Sequence, residues 1–142
     1  MKACTFFGHK TVTQDISKKL KKVICYLIEA CSVDTFYVGC QGGFDRMVIS
    51  ALKSAEKEYP HISFFVVLAY YREASEISVA SCNTVFPHSA AISPPRFAID
   101  KRNRWMIERS DYAITYVYKN GGAKKYKDIC IKKKKRILEL SD

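Results

Sequence analysis

The residues able to do chemistry in this chain gather at three glycine-bearing stretches. These are Gly8-His9-Lys10, then Gly39-Cys40-Gln41-Gly42-Gly43 with Asp45 two residues on, and Asn120-Gly121-Gly122. Each follows a β-branched or aromatic run and precedes a segment of helical character. Glycine between a strand and a helix allows positive φ and close backbone approach, and the helix that follows offers unpaired N–H groups at the positive end of its dipole. That combination suits a phosphate. Asp45 stands in the first turn of the second helix, where the dipole alone gives a carboxylate roughly 0.3–1 kcal/mol; its functional role would be to accept a hydrogen bond from a ligand hydroxyl such as a ribose. Farther on, Asn103 shares a helical stripe with the apolar Ile99, Met106 and Ile107, so an amide points the way core residues do, with Arg102 beside it. A buried amide needs partners. Neither the GxGxxG dinucleotide fingerprint nor a GxxxxGK[ST] phosphate loop is present, which argues against a standard NAD enzyme or P-loop NTPase.

The elements that must carry these residues follow from periodicity. "ACTFFG" reads as a buried strand, and Ile16, Leu20, Val23, Ile24, Leu27 and Ile28 fall at helical spacing after it. Thr11 and Gln14 stand in capping-box relation at the start of that helix. "DTFYVG" is the second strand, followed by a helix with the stripe Phe44, Met47, Val48, Ala51, Leu52 and Ala55. "ISFFVVLAYY" is continuous in its hydrophobicity, as a strand buried on both faces should be. A helical turn over 73–79, a short strand over 84–86 and a loop closed by Pro94-Pro95 complete the irregular middle. "RFAIDKRNRWMIERSD" is then a helix, "YAITYVY" a strand, "GGAKKYKDICIKKKK" a helix and "RILEL" a last strand, with Lys132 to Arg136 as the solvated helix end. Strands alternating with helices predict an α/β, Rossmann-like three-layer sandwich with a mainly parallel sheet, one domain over residues 1–142. In such a sheet, ligands occupy the crevice at the carboxyl ends of the strands.

Composition sets further bounds. The chain has 142 residues, 48% of them hydrophobic, and a formal charge of +10. Residues 31–118 carry nine basic and nine acidic side chains, so the excess lies in the two ends, with six basic against two acidic in 1–30 and nine against three in 119–142. Six scattered cysteines without a CxxC pair, and three dispersed histidines, point to a reduced, cytoplasmic protein with no metal site. No apolar run approaches the length of a membrane span.

The ordered set "CTFFGHK", "TFYVGCQGGFD", "PPRFAIDKRNRWMIERSDYAITYV" and "GGA" resembles the SLOG superfamily over nearly the whole chain, and most closely its bacterial branch of small single-domain proteins of unknown function. The resemblance implies a Rossmann-like fold and a ligand crevice lined by Gly8, Gly39, Gly42, Gly43, Asp45, Arg102, Asn103, Gly121 and Gly122; His9, Lys10 and Gln41 flank these positions on the same loops. The superfamily includes the LOG phosphoribohydrolases, which release a base from a nucleoside monophosphate, and DprA-type proteins that bind single-stranded DNA. LOG enzymes carry PGGxGTxxE. Here "NGGAKKYKD" keeps the glycine pair, replaces Gly-Thr with Lys124-Lys125, and has Asp128 where the glutamate would be.

The expectation is therefore a nucleotide or nucleotide-derived phosphorylated ligand bound in the glycine-lined crevice by a sensor or regulatory module, without a cofactor. The alternative is an N-glycosidic hydrolase acting on a nucleoside monophosphate, for which Asp45 and Asp128 are the available catalytic carboxylates. A further alternative is single-stranded nucleic acid. The charge favours it, but the basic first and last helices should cover opposite faces of the sheet and make no single track. Self-association is compatible with the fold, and no membrane partner is expected.

Overall fold

The central strands of this chain are buried on both of their faces, and the topology explains why. In the computed structural model, which describes residues 1–141, six parallel strands form one sheet. They are β1 (Ala3–Gly8), β2 (Thr35–Val38), β3 (Ser63–Val67), β4 (Thr84–Val85), β5 (Tyr112–Tyr116) and β6 (Arg136–Glu139), in the spatial order β4-β3-β2-β1-β5-β6. Cys4 at the centre pairs in register with Phe36 on one side and Tyr112 on the other. Side chains alternate along each strand, so Cys4, Phe6, Phe36, Phe64 and Ile114 enter one core, while Ala3, Phe7, Tyr37, Val67 and Ala113 enter the other.

Helices α1 (Ser17–Cys31) and α2 (Gly43–Glu58) cover the first face through Leu20, Ile24, Leu27, Val48 and Leu52. After the short α3 (His88–Ala91), helices α4 (Pro95–Glu108) and α5 (Gly122–Lys132) cover the second through Met106, Ile107, Tyr126 and Cys130. This is the three-layer sandwich that the alternating pattern implies. It also places the basic helices α1 and α5 on opposite faces.

Local departures have identifiable causes. Helix α1 starts at Ser17, and the predicted capping box at Thr11 and Gln14 does not form. The backbone N–H of Thr13 instead donates to the Tyr116 hydroxyl at 3.3 Å, while Asp15 accepts from the amide and hydroxyl of Ser17. The predicted turn over 73–79 is a 3₁₀ turn at Tyr71–Ser75. The last lysines do not prolong α5: the helix stops at Lys132, Lys134 takes the left-handed conformation with φ 62°, and Arg136 opens β6.

Candidate functional site

Strand order reverses at β1, which has β2 on one side and β5 on the other, and ligands of open α/β sheets sit at that switch point. A cavity of about 420 Å³ opens there, within the usual range for small-molecule sites. It brings together ten of the twelve residues expected to bind ligand, namely Gly8, His9, Lys10, Gly39, Gln41, Asp45, Arg102, Asn103, Gly121 and Gly122. Gly42 and Gly43 are not in its lining.

The glycines divide by what faces them. A methyl group on Gly8 would lie 2.3 Å from the Phe44 ring, and one on Gly43 would lie 2.7 Å from the Lys10 carbonyl oxygen. The Gly43 amide already donates to that oxygen at 2.7 Å. These glycines let protein approach protein. Among the described residues, nothing beyond the chain neighbours and the helix's own backbone lies within 4 Å of the corresponding position on Gly121 or Gly122. The α5 N-terminus, whose first amides have no intrahelical acceptor, therefore meets the cavity without a side chain in between.

Opposite it lies a buried polar group. Asp45 accepts the Gln41 backbone N–H at 2.8 Å. Arg102, 2% exposed, donates from Nη1 to the Val67 carbonyl at 2.9 Å and from Nε to Asn103 Oδ1 at 2.7 Å. A methyl on Gly39 would come within 2.7 Å of Arg102 Nη1 and 3.0 Å of Asp45 Oδ2, so the missing side chain makes room for both charges at the end of β2. Burial pushes the Asp45 carboxyl up to about 6 against the pull of the Arg102 guanidinium. Asn103 obtains the partner that its buried amide required.

His9, in the cavity lining, also acts within the protein. Its Nε2 accepts the backbone N–H groups of Tyr118 at 3.1 Å and Lys119 at 3.3 Å, and its ring meets Tyr118 edge-on at 4.4 Å. Burial, then the Lys119 charge, holds its pKa below the usual value, favouring the neutral acceptor. His9 thus pins the loop that leads to Gly121. Asp128 lies elsewhere, on the exposed side of α5, ion-paired with Lys124 at 2.7 Å. Among the described residues, Lys10, Arg102 and Lys119 against the single carboxylate of Asp45 leave the cavity lining cationic.

Sequence reasoning missed Glu73. Its side chain is 1% exposed and accepts from the amides of Ala69 at 2.8 Å and Tyr70 at 3.0 Å, and from the Gln41 side chain. It ties the end of β3 to the β2 loop from a segment with no hydrophobic period to flag it. Tyr118 and Lys119 were also missed, although their place just before Asn120-Gly121-Gly122 at a strand end was a usable signal. Among the described residues no three His, Cys, Asp or Glu side chains form a metal-binding group, and no helix is long and apolar enough to cross a membrane.

No protein-family model matches the chain, and no curated protein matches it in sequence. Its architecture is shared with DNA processing protein A from Helicobacter pylori, whose structure describes a single-stranded DNA binding mode; the TM-score is 0.64 at 15% identity. The match covers 97% of this chain and 64% of that one, so this chain spans less than two thirds of the neighbour's length. The likeness is one of fold, a DprA-like Rossmann arrangement.

Proposed function

We propose that this chain is a SLOG-type module that binds a nucleotide or nucleotide-derived phosphorylated ligand at the β1/β5 switch point. The observation that carries this reading is the α5 N-terminus, opened to the cavity by Gly121 and Gly122. A phosphate there would meet unpaired amides and the positive dipole end, with Lys10 and Lys119 in the same lining. The ribose and base would extend toward Asp45 and Asn103, where a carboxylate and an amide offer polar contacts. A sensing or regulatory role suits a site whose acid is engaged in a buried network.

The hydrolase reading narrows to Asp45, because Asp128 is exposed, paired with Lys124 and outside the lining of this cavity. Burial and a carboxyl pKa near 6 are the traits that a general acid or base would need. The single-stranded DNA bound by the structural neighbour supports a third form of the same chemistry, a nucleotide that belongs to a strand.

Thermal unfolding against nucleoside mono-, di- and triphosphates, cyclic nucleotides, ADP-ribose and short oligonucleotides tests the site. A ligand at a hundredfold its Kd should add about 2.7 kcal/mol, raising the midpoint by several degrees. Gly122→Val, which places a branched side chain in open space over the amides, should fold normally and lose that shift. A shift retained in full by this variant, or no shift with any phosphorylated ligand, would sink the proposal.

A further inference from the structure

The amino ends of the strands, on the pole opposite the cavity, carry a cluster of positive charge. Lys2 precedes β1, and Lys133, Lys134 and Lys135 form the turn between α5 and β6, with Arg136 as the first residue of β6. These five cations border one shallow depression of about 340 Å³ with, among the described residues, a single carboxylate, Asp111. Asp111 is already engaged, accepting the Ala3 N–H at 3.1 Å. Among the described residues no ion pair joins any of the five to an acid.

The backbone supplies a second, independent observation. Lys134 N–H donates to the Ile131 carbonyl and Lys135 N–H to the Cys130 carbonyl, both at 2.9 Å, which is the bonding pattern of a helix closed by a left-handed residue. That residue is Lys134, at φ 62°. Glycine is the usual occupant, since a side chain there is strained. The helix dipole does not account for the arrangement. Lys132 already stands in the last turn, where it complements the dipole. Nor does the dipole explain why Lys2 and Arg136 converge from two other strands. The turn is also firmly mounted, with Asp111 N–H on the Ala3 carbonyl at 2.8 Å and Arg136 N–H on the Asp111 carbonyl at 3.1 Å.

We propose that this amino-edge cluster of Lys2, Lys133, Lys134, Lys135 and Arg136 is a docking surface for the phosphate backbone of double-stranded nucleic acid. Duplex DNA carries one charge per roughly 1.7 Å of axis, and a group of cations with no ion-pair partner among the described residues is complementary to it. Among the described residues the one aromatic side chain bordering the depression, Tyr112, is 7% exposed, so it offers no platform for the base stacking that single-strand binders use. The surface is independent of the ligand cavity.

Fluorescence anisotropy of a labelled 20-base-pair duplex, titrated from low to physiological salt, tests this directly. We expect binding whose logarithm falls linearly with the logarithm of salt concentration, and a slope smaller by roughly 3 in the variant Lys133→Ala/Lys134→Gly/Lys135→Ala. Lys134→Gly alone should weaken binding while raising the unfolding midpoint by roughly 2–4 °C, a pairing that a purely structural role would not produce. Mononucleotides should not displace the duplex. Unchanged slope in the triple variant, competition by mononucleotides, tighter binding of single strand than duplex, or preference for vesicles containing phosphatidylserine would each overturn the proposal.

Discussion

Two residues of the cavity titrate in opposite senses, and their contributions to stability can be separated. Asp45 has a folded pKa of about 6, above the unfolded value of 3.8, because burial outweighs the attraction of Arg102. Its contribution is therefore fully present below pH 3.8 and is lost as pH rises through 6, a difference of about 3 kcal/mol. His9 is lowered from 6.5, so its contribution is present above pH 6.5 and lost as pH falls through its folded pKa. Denaturant unfolding between pH 4 and 8 should show Asp45→Asn removing most of the decline seen in the parent protein between pH 4 and 7. A slope unchanged by this substitution would place the titrating group elsewhere. The spacing of Asp45 behind Gly42 and Gly43 was legible as chemistry. Its altered acidity was not, since it arises from burial at the strand end, which Arg102, 57 residues away in sequence, only partly offsets.

At the scale of elements, glycine-bearing loops that look equivalent in sequence perform two different jobs. Gly43 brings the start of α2 onto the chain at Lys10, where an added methyl would sit 2.7 Å from a backbone oxygen that has no freedom to rotate away. Gly43→Ala should lower stability by about 1–3 kcal/mol, the typical result of overpacking. Gly122→Ala, with no atom within 4 Å to meet, should leave the unfolding midpoint unchanged or slightly raised. Equal losses at both positions, measured by thermal unfolding, would refute this division. The strands, the four longer helices and the three strand-end loops were readable because periods of 2 and 3.6 survive in the sequence and glycine punctuates them, whereas the one-turn α3 fell in a segment read as loop. The role of each glycine was unreadable because it depends on a residue from another element: Phe44 against Gly8, Lys10 against Gly43, nothing against Gly122. Thr11 and Gln14 mislead for the same reason, as the Tyr116 hydroxyl from β5 claims Thr13 and the chain stays unwound to Ser17.

Across the whole molecule, the central sheet separates two poles, the cavity at its carboxyl edge and the unpaired cations at its amino edge, and β6 bears on both. Its first residue belongs to the basic cluster, while its last, Glu139, stands beside the β5 end that leads into the cavity. Glu139 accepts from the Thr115 hydroxyl at 2.6 Å, the Val117 amide at 2.9 Å, the Lys127 ammonium at 2.8 Å and the Ser141 amide at 3.0 Å. Burial alone would raise its pKa, but these donors together hold the carboxyl down at about 2, against 4.5 for the free group. A carboxylate depressed in this way contributes stability above pH 4.5 that is lost as pH falls toward 2. Allowing for its partial exposure to solvent, Glu139→Gln should cost about 2 kcal/mol at pH 7 and flatten the acid limb of the stability curve below pH 4.5. Because Val117 begins the loop that His9 pins and that ends in Gly121, the same substitution should weaken phosphate-ligand binding at the cavity more than duplex binding at the amino edge. Urea titrations from pH 2 to 7, with ligand-induced shifts measured on the same variant, provide both readings. Equal weakening at the two poles would mean that Glu139 supports the sheet as a whole and does not selectively position the loop.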